Sequence, residues 1–132
     1  MAINNLSIDK KVYGLLKQGL NASSLRSKVS ANNIANINTK GYKRSYVTFE
    51  DSLKNSMGSD QLLTTDERHI DLEGSGNIKV MKDTATSMRE DGNNVDIDSE
   101  MVNQAANNLM YNALITQVNN RMSITKYVIE GK

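Results

Sequence analysis

Residues 30–49 read SANNIANINTKGYKRSYVTF, and the fold turns on them. They follow a helix-patterned segment, pass through Asn32, Asn33, Asn36 and Asn38, and turn at Thr39-Lys40-Gly41. They leave as an extended run carrying Tyr42, Tyr46 and Phe49. Asparagine tolerates left-handed backbone and hydrogen-bonds its own main chain, and glycine takes positive φ without strain. The stretch therefore describes a helix with a specified exit and a corner that sends the chain off in one direction.

Upstream, residues 5–35 are expected to form one long helix, because no proline interrupts them and Val12, Leu15, Leu16, Ala22, Leu25, Val29 and Ile34 recur mostly at steps of three and four. Gly14 and Gly19 each weaken that helix by about 1 kcal/mol relative to alanine, so propensity alone does not hold it. Downstream, residues 50–63 are expected to hold a short helical turn (Phe49, Leu53, Met57, Leu62) closed by Gly58. Residues 59–94 are polar and acidic, with Asn77–Met81 and Thr84–Met88 as short strands of a hairpin turning near Lys82-Asp83. In Asp91-Gly-Asn-Asn-Val-Asp-Ile-Asp98, Asp96 or Asp98 is placed to cap a final helix, and Asp98 and Glu100 put negative charge at its positive end. That helix runs over 99–130 through Val102, Ala106, Leu109 and Ala113, then Met110, Leu114, Val118, Met122 and Ile129, with Gly131 as its stop. The expected fold class is mainly α: two long terminal helices in an antiparallel coiled-coil-like hairpin around a loop and short-β middle at 36–98. Residues 1–132 make one domain.

Composition points to a core completed by neighbours. Hydrophobic residues are 38% of the 132, with one Phe and no Trp, against roughly 45–50% apolar in ordinary domains on a slightly different residue set. Each apolar stripe is narrow, so the helices are expected to be stable mainly when packed on other copies. The absence of cysteine excludes disulfides and thiolate metal sites. No apolar run is long enough to span a membrane, and Met-Ala-Ile-Asn-Asn-Leu-Ser lacks the apolar centre of a cleavable secretory signal. The net charge of +1 is unevenly spread: residues 1–50 carry eight basic and two acidic groups, and residues 51–100 carry five and twelve. A basic arm and an acidic middle can attract one another, or both can be solvated faces.

Catalytic and ligand-binding patterns do not assemble. His69 is the single histidine and has no cysteine partner, so neither a nucleophile–base pair nor a multi-histidine zinc site follows. Starting a calcium loop at Asp91 puts Val95 at a ligand position, and starting it at Asp96 puts Met101 where glycine belongs. Gly74-Ser75-Gly76 lacks the third glycine of a dinucleotide loop, since Lys79 stands there. Asn5-Leu-Ser and Asn21-Ala-Ser lie in helix-patterned sequence and are chance glycosylation matches. Lys40, Lys43 and Arg44 beside Tyr42 and Tyr46 could suggest a nucleic-acid platform, but the near-neutral charge and acidic middle argue against it. No cofactor, metal, nucleic acid or small-molecule substrate is expected, and no enzymatic activity.

ANNIANINTKGYKR resembles the N-terminal motif of the flagellar rod, hook and filament-junction family, with its spacing intact from Ala31 to Lys43. The residues that carry the resemblance are Ala31, Asn32, Asn33, Ile34, Ala35, Asn36, Thr39, Gly41, Tyr42 and Lys43. Asn94-Val-Asp-Ile-Asp-Ser-Glu-Met101 and the Tyr111, Ala113, Leu114 step are similar to the proximal rod member of that family, as is Arg68-His69-Ile70. The match covers about 5–50 and 91–130. The resemblance implies a single rod-type domain and a structural subunit of the bacterial flagellar basal body, exported by the flagellar type III apparatus without signal cleavage. It implies self-association through the terminal helices around the export channel, and contact with other rod proteins and the membrane ring. On that reading Asn32, Asn33, Asn36 and Asn38 bond neighbouring backbones at a crowded corner, and Val102, Leu109, Leu114, Val118 and Met122 line the seam of the C-terminal helix. The alternatives are another rod or junction member of the family, or a soluble helical coiled-coil adaptor or chaperone-like binding module. The adaptor predicts stable helix in a dilute monomer and no self-assembly.

Overall fold

The computed structural model describes residues 2–58, 77–87 and 89–131. In chain order the elements are α1 (Ala2–Ala35), β1 (Ser45–Thr48), α2 (Glu50–Gly58), β2 (Lys79–Lys82) and α3 (Ile97–Glu130). α1 and α3 are each 34 residues long, rods of about 50 Å at 1.5 Å per residue. α1 begins at Ala2 instead of residue 5, and α3 begins at Ile97, two residues before the expected start. Of the two candidate caps for α3, Asp96 is the one used. Its backbone is extended (φ −106°, ψ 118°) and its carboxylate accepts from the Asp98 N–H. Gly131 ends the helix at φ 63°, its N–H donating to the Tyr127 carbonyl at 2.9 Å, a left-handed exit that glycine takes without a Cβ penalty.

The short strands pair differently from the sequence expectation. Lys79–Lys82 pairs antiparallel with Ser45–Thr48, with Val47 opposite Val80 and Tyr46 opposite Met81. Residues 84–87 are not strand, and Met88 lies outside the described residues. Lys82-Asp83 lacks the glycine or asparagine that a two-residue hairpin turn requires. The Asp83 carboxylate instead accepts from the Ala85 N–H at 2.9 Å and turns the chain aside. β2 finds its partner in the residues with greater strand preference, Tyr46 and Val47. The final part of the 50–63 helical turn, like His69, Arg68-His69-Ile70 and Gly74-Ser75-Gly76, also lies outside the described residues.

α1 packs on both α3 and β1. Ser30 meets Glu100, Ser27 meets Gln104, Ser23 meets Asn107, and Gly19 approaches Leu114, so positions fall on α1 as they rise on α3. The buried apolar residues are Ala22, Val29, Val47, Phe49 and Val95, and the buried polar ones are Ser23, Ser30, Asn33, Asn93, Glu100 and Asn107. Among the described residues the interior is therefore at least as polar as it is apolar, and it persists because those polar groups are hydrogen-bonded.

Several of the seam residues expected on α3 are exposed within the single chain. Within the chain, Val102, Leu109 and Met122 are 68, 73 and 52% exposed, and Leu114 and Val118 are half-buried. The first half of α3 turns Glu100, Gln104 and Asn107 toward α1. No helix among the described residues is long and apolar enough to cross a membrane.

Candidate functional site

The two ends of the chain interlock at the corner that follows α1. A helix leaves its last carbonyls without partners, and those must be met from elsewhere. Here the Asn36 N–H donates to the Asn32 and Asn33 carbonyls and the Ile37 N–H to that of Ile34, and a distant side chain holds the turn that follows. The Asn93 Nδ2 donates to the carbonyls of Asn36, Ile37 and Thr39 at 3.0, 2.9 and 3.0 Å, and the Arg89 guanidinium also reaches the Ile37 carbonyl, at 3.1 Å. Asn93 is fully buried and its Oδ1 accepts from the Val95 N–H at 2.8 Å. Gly41 donates its N–H to the Asp91 carbonyl at 2.8 Å. Gly41 and Gly92 both sit at positive φ (72° and 76°) and their backbones come close, an ideal Cβ on Gly92 lying 3.7 Å from the Gly41 Cα.

Asn33 holds the other side of the corner. Its Nδ2 donates to the Ser45 carbonyl at 2.7 Å, and its Oδ1 accepts from the Ser45 N–H at 2.9 Å and the Tyr42 hydroxyl at 3.2 Å. One buried amide thus reproduces a strand-like pairing with Ser45 and starts β1. Arg44 joins three segments: its N–H donates to Asn94 Oδ1 at 2.6 Å, its carbonyl accepts from the Asp83 N–H at 2.7 Å, and its Nε donates to Glu100. Glu100 is 1% exposed and also accepts from the Ser30 hydroxyl at 2.7 Å. This ion pair joins the basic arm to the acidic middle. Arg26 pairs instead with Glu50, its Nη2 within 2.9 Å of both carboxylate oxygens.

The corner brings most of the motif together. Asn33 and Tyr42 are bonded to each other. Asn36 donates to the Asn32 carbonyl at 2.8 Å and accepts from the Thr39 hydroxyl at 3.2 Å. Lys43 reaches the Ala85 carbonyl at 3.3 Å, and Ile34 is half-buried. Ala31, Asn32, Ala35, Asn38, Thr39 and Gly41 are exposed. The amides of Asn33 and Asn36 bond backbone groups at this corner within the chain, those of Ser45 and Asn32. Sequence reasoning missed Asn93, Asn94, Arg44 and Glu100 as partners of the motif. The adjacent asparagines after Gly92 were the available signal, since a paired amide next to a positive-φ glycine suits a distant cap.

Three further polar contacts tie α1 to α3. The Ser23 hydroxyl donates to Asn107 Oδ1 at 2.9 Å, and Asn107 Nδ2 donates back to the Ser23 carbonyl at 2.9 Å. Gln104 Nε2 donates to the Ser27 hydroxyl at 2.8 Å, while its buried Oε1 has no hydrogen-bond partner. At the far end of the helices the surface is apolar. Ile124, Tyr127, Val128 and Ile129 are 63, 66, 79 and 78% exposed, and Ile124, Val128 and Ile129 border, with Lys10, Tyr13 and Arg121, an open groove of about 920 Å³. At the start of α3, the Ser99 hydroxyl and then the Asp98 N–H, both donating to Asp96, hold its carboxyl below its ordinary pKa. No group of three or more His, Cys, Asp or Glu is placed to hold a metal among the described residues.

The geometry is that of an interlocked helical scaffold with apolar ends, and the comparisons agree with it. A family model described as "Flagella basal body rod protein" matches residues 16–43, the second half of α1 and the corner. The chain is 35% identical over 117 residues to the flagellar basal body rod protein FlgB of Bacillus subtilis (strain 168), covering 88% of this chain and 91% of that one. It is 35% identical over 128 residues to FlgB of Borrelia hermsii (89% and 90% covered) and 32% over 132 residues to FlgB of Proteus mirabilis (92% and 95%). Likeness at this level along nearly the whole length, on top of the interlocked corner, means that the chain belongs to the FlgB family of flagellar basal body rod proteins.

Proposed function

We propose that this chain is a structural subunit of the flagellar basal-body proximal rod, self-assembling through its terminal helices into the torque-transmitting array around the export channel. Residues 1–132 act as one rod-type domain, in which α1 and α3 form an antiparallel coiled-coil-like hairpin. The opposed order of the Ser30–Glu100, Ser27–Gln104 and Ser23–Asn107 contacts supports that pairing. The motif corner sets the angle at which the helices leave the β1–β2 ribbon. The chain is exported through the flagellar type III apparatus without signal cleavage, and meets the membrane ring and other rod proteins in place.

The observation that carries this reading is the exposed apolar face of α3, with Val102 and Leu109 68 and 73% exposed. Large exposed apolar patches mark interaction surfaces, and a repeated head-to-tail contact between copies generates a helical array. Replacing Leu109 by Asp is expected to leave the helicity and thermal midpoint of the free chain unchanged, while rod incorporation and motility are lost. Cell fractionation and a swimming assay check this. Normal swimming in the Leu109→Asp strain would remove this face from the assembly.

A further inference from the structure

The contacts between α1 and α3 run against the hydrophobic pattern of α3. In its first half, Val102, Ala106, Leu109 and Ala113 recur at steps of four and three and form an apolar stripe. At 3.6 residues per turn that stripe lies on the side of the helix opposite Glu100, Gln104 and Asn107. Burial of apolar area alone would turn the stripe toward α1. The structure does the reverse, exposing all four stripe residues and burying Glu100 and Asn107. α1 supplies the matching groups. Ser23, Ser27 and Ser30 share one face at steps of four and three, and each meets one member of the α3 set, at 2.9, 2.8 and 2.7 Å.

We propose that these three serines, with Asn107, Gln104 and Glu100, form a key that selects which face of α3 turns inward and so keeps the Val102–Leu109 stripe facing out. The corner makes part of that selection through the Arg44–Glu100 bond, but Gln104 and Asn107 lie one and two turns further along and are held from α1 alone. Asn93 and Asn94 fix where α3 starts, but a helix anchored at one end can still turn about its axis. Turning α3 by half a revolution would place Asn107 and Glu100 in solvent and leave Ser23 and Ser30 against alanine, valine and leucine, their hydroxyls reduced to the less favourable bond back to their own helix's carbonyls. A buried polar group without a partner is penalised more than a well-made pair is rewarded. The key therefore acts by making the wrong face unfavourable, and Asn107, bonded to both the hydroxyl and the carbonyl of Ser23, is its most specific member. That the outward stripe is an assembly surface rests on the function proposed above; the choice of face does not.

The test uses the purified full-length chain, which has no cysteine of its own. A Gly19→Cys, Leu114→Cys pair reports the observed face, because a Cβ at residue 19 would stand 3.3 Å from the Leu114 Cδ1. A Gly19→Cys, Thr116→Cys pair reports the turned one. A separate Leu109→Cys chain reports exposure through its rate of reaction with a water-soluble maleimide. With the key intact, only the first pair closes on oxidation and Leu109→Cys reacts rapidly. With Ser23→Ala, Ser27→Ala and Ser30→Ala combined, the first pair is expected to lose its yield, the second to gain it, and Leu109→Cys labelling to slow by about tenfold as the stripe is buried. A Ser23→Asn, Asn107→Ser exchange, which restores a hydrogen bond with the partners reversed, is expected to keep the parental pattern even if the triple variant fails to fold. Unchanged trapping and labelling in a folded triple variant overturns the key, as does loss of the parental pattern in the exchange variant. Because every readout is on the free chain, a preserved key together with normal assembly of Leu109→Asp would refute the assembly surface and leave the key standing.

Discussion

Asn93 donates to three main-chain carbonyls of the turn that follows α1 and sits fully buried while doing so. Replacing it by alanine removes a buried donor from all three carbonyls, which keep only the Thr39 N–H on Asn36, the Arg89 guanidinium on Ile37 and the Tyr42 N–H on Thr39. The expected cost is about 1–2 kcal/mol in urea unfolding, the range for lost hydrogen bonds whose acceptors keep another donor. Asn93→Asp keeps the shape but aims a carboxylate at three carbonyl oxygens, so it is expected to be at least as damaging. A midpoint for Asn93→Asp equal to the parent's would mean that the amide is not what holds the turn. Gly41 presents the complementary case. Nothing lies within 4 Å of a Cβ built on it, yet its φ is 72°. Gly41→Ala is therefore expected to cost about 1–2 kcal/mol through backbone strain alone. Gly41→Val should cost more and Gly41→Asn less, and a denaturation series in which the three cost the same would contradict the strain account.

At the scale of the element, α3 is begun by one carboxylate. Asp96 accepts from the Ser99 hydroxyl at 2.8 Å and the Asp98 N–H at 3.1 Å, which lowers its pKa in the folded chain. A carboxyl whose folded pKa is depressed contributes stability above its unfolded pKa and loses it as pH falls through the lower folded value. The first turn of α3 is therefore expected to fray on acidification below about pH 4, where carboxylates protonate. Amide chemical shifts of Asp98 and Ser99 followed by NMR report this directly. Asp96→Asn keeps the cap through its side-chain oxygen and removes the charge, so those shifts should stop responding to pH over the same interval. A titration unchanged by Asp96→Asn would mean that Asp96 is not its source.

For the whole molecule, order is expected to be graded along the helices. Among the described residues, the buried positions of the two helices run from Gly19 through Asn33 on α1 and from Glu100 through Asn107 on α3. Beyond Gly19 and Leu114 the helices carry exposed Tyr13, Met122, Ile124, Tyr127, Val128 and Ile129 and few partners. Hydrogen exchange should therefore be slower at residues 22–33 and 100–107 than at 120–130 by about tenfold or more, as expected where buried contacts are dense. Uniform protection along α3 would mean that the free chain supports its ends without neighbours. The same grading explains how a chain with few apolar residues holds one shape: polar bonds specify the centre, and apolar side chains toward the ends stay exposed.

The local character of this chain was legible in the residues themselves. Two long helices follow from apolar spacing without proline, the start and stop of α3 from Asp96 and Gly131, and the corner from asparagines ending in Gly41, because each depends on neighbours within a turn or two. The matching motif at Ala31–Lys43 carried the family for the same reason. Pairing across the chain was not legible. Lys79–Lys82 chose Ser45–Thr48 over an adjacent strand, Asn93 held the turn after α1 from the far side of the sequence, and α3 turned Glu100 and Asn107 inward while Val102 and Leu109 stayed out. Each of those outcomes is decided by which distant hydrogen-bonding group is left without a partner in the alternative arrangement. That comparison exists only once both segments are placed in space, so only the tertiary structure could make it.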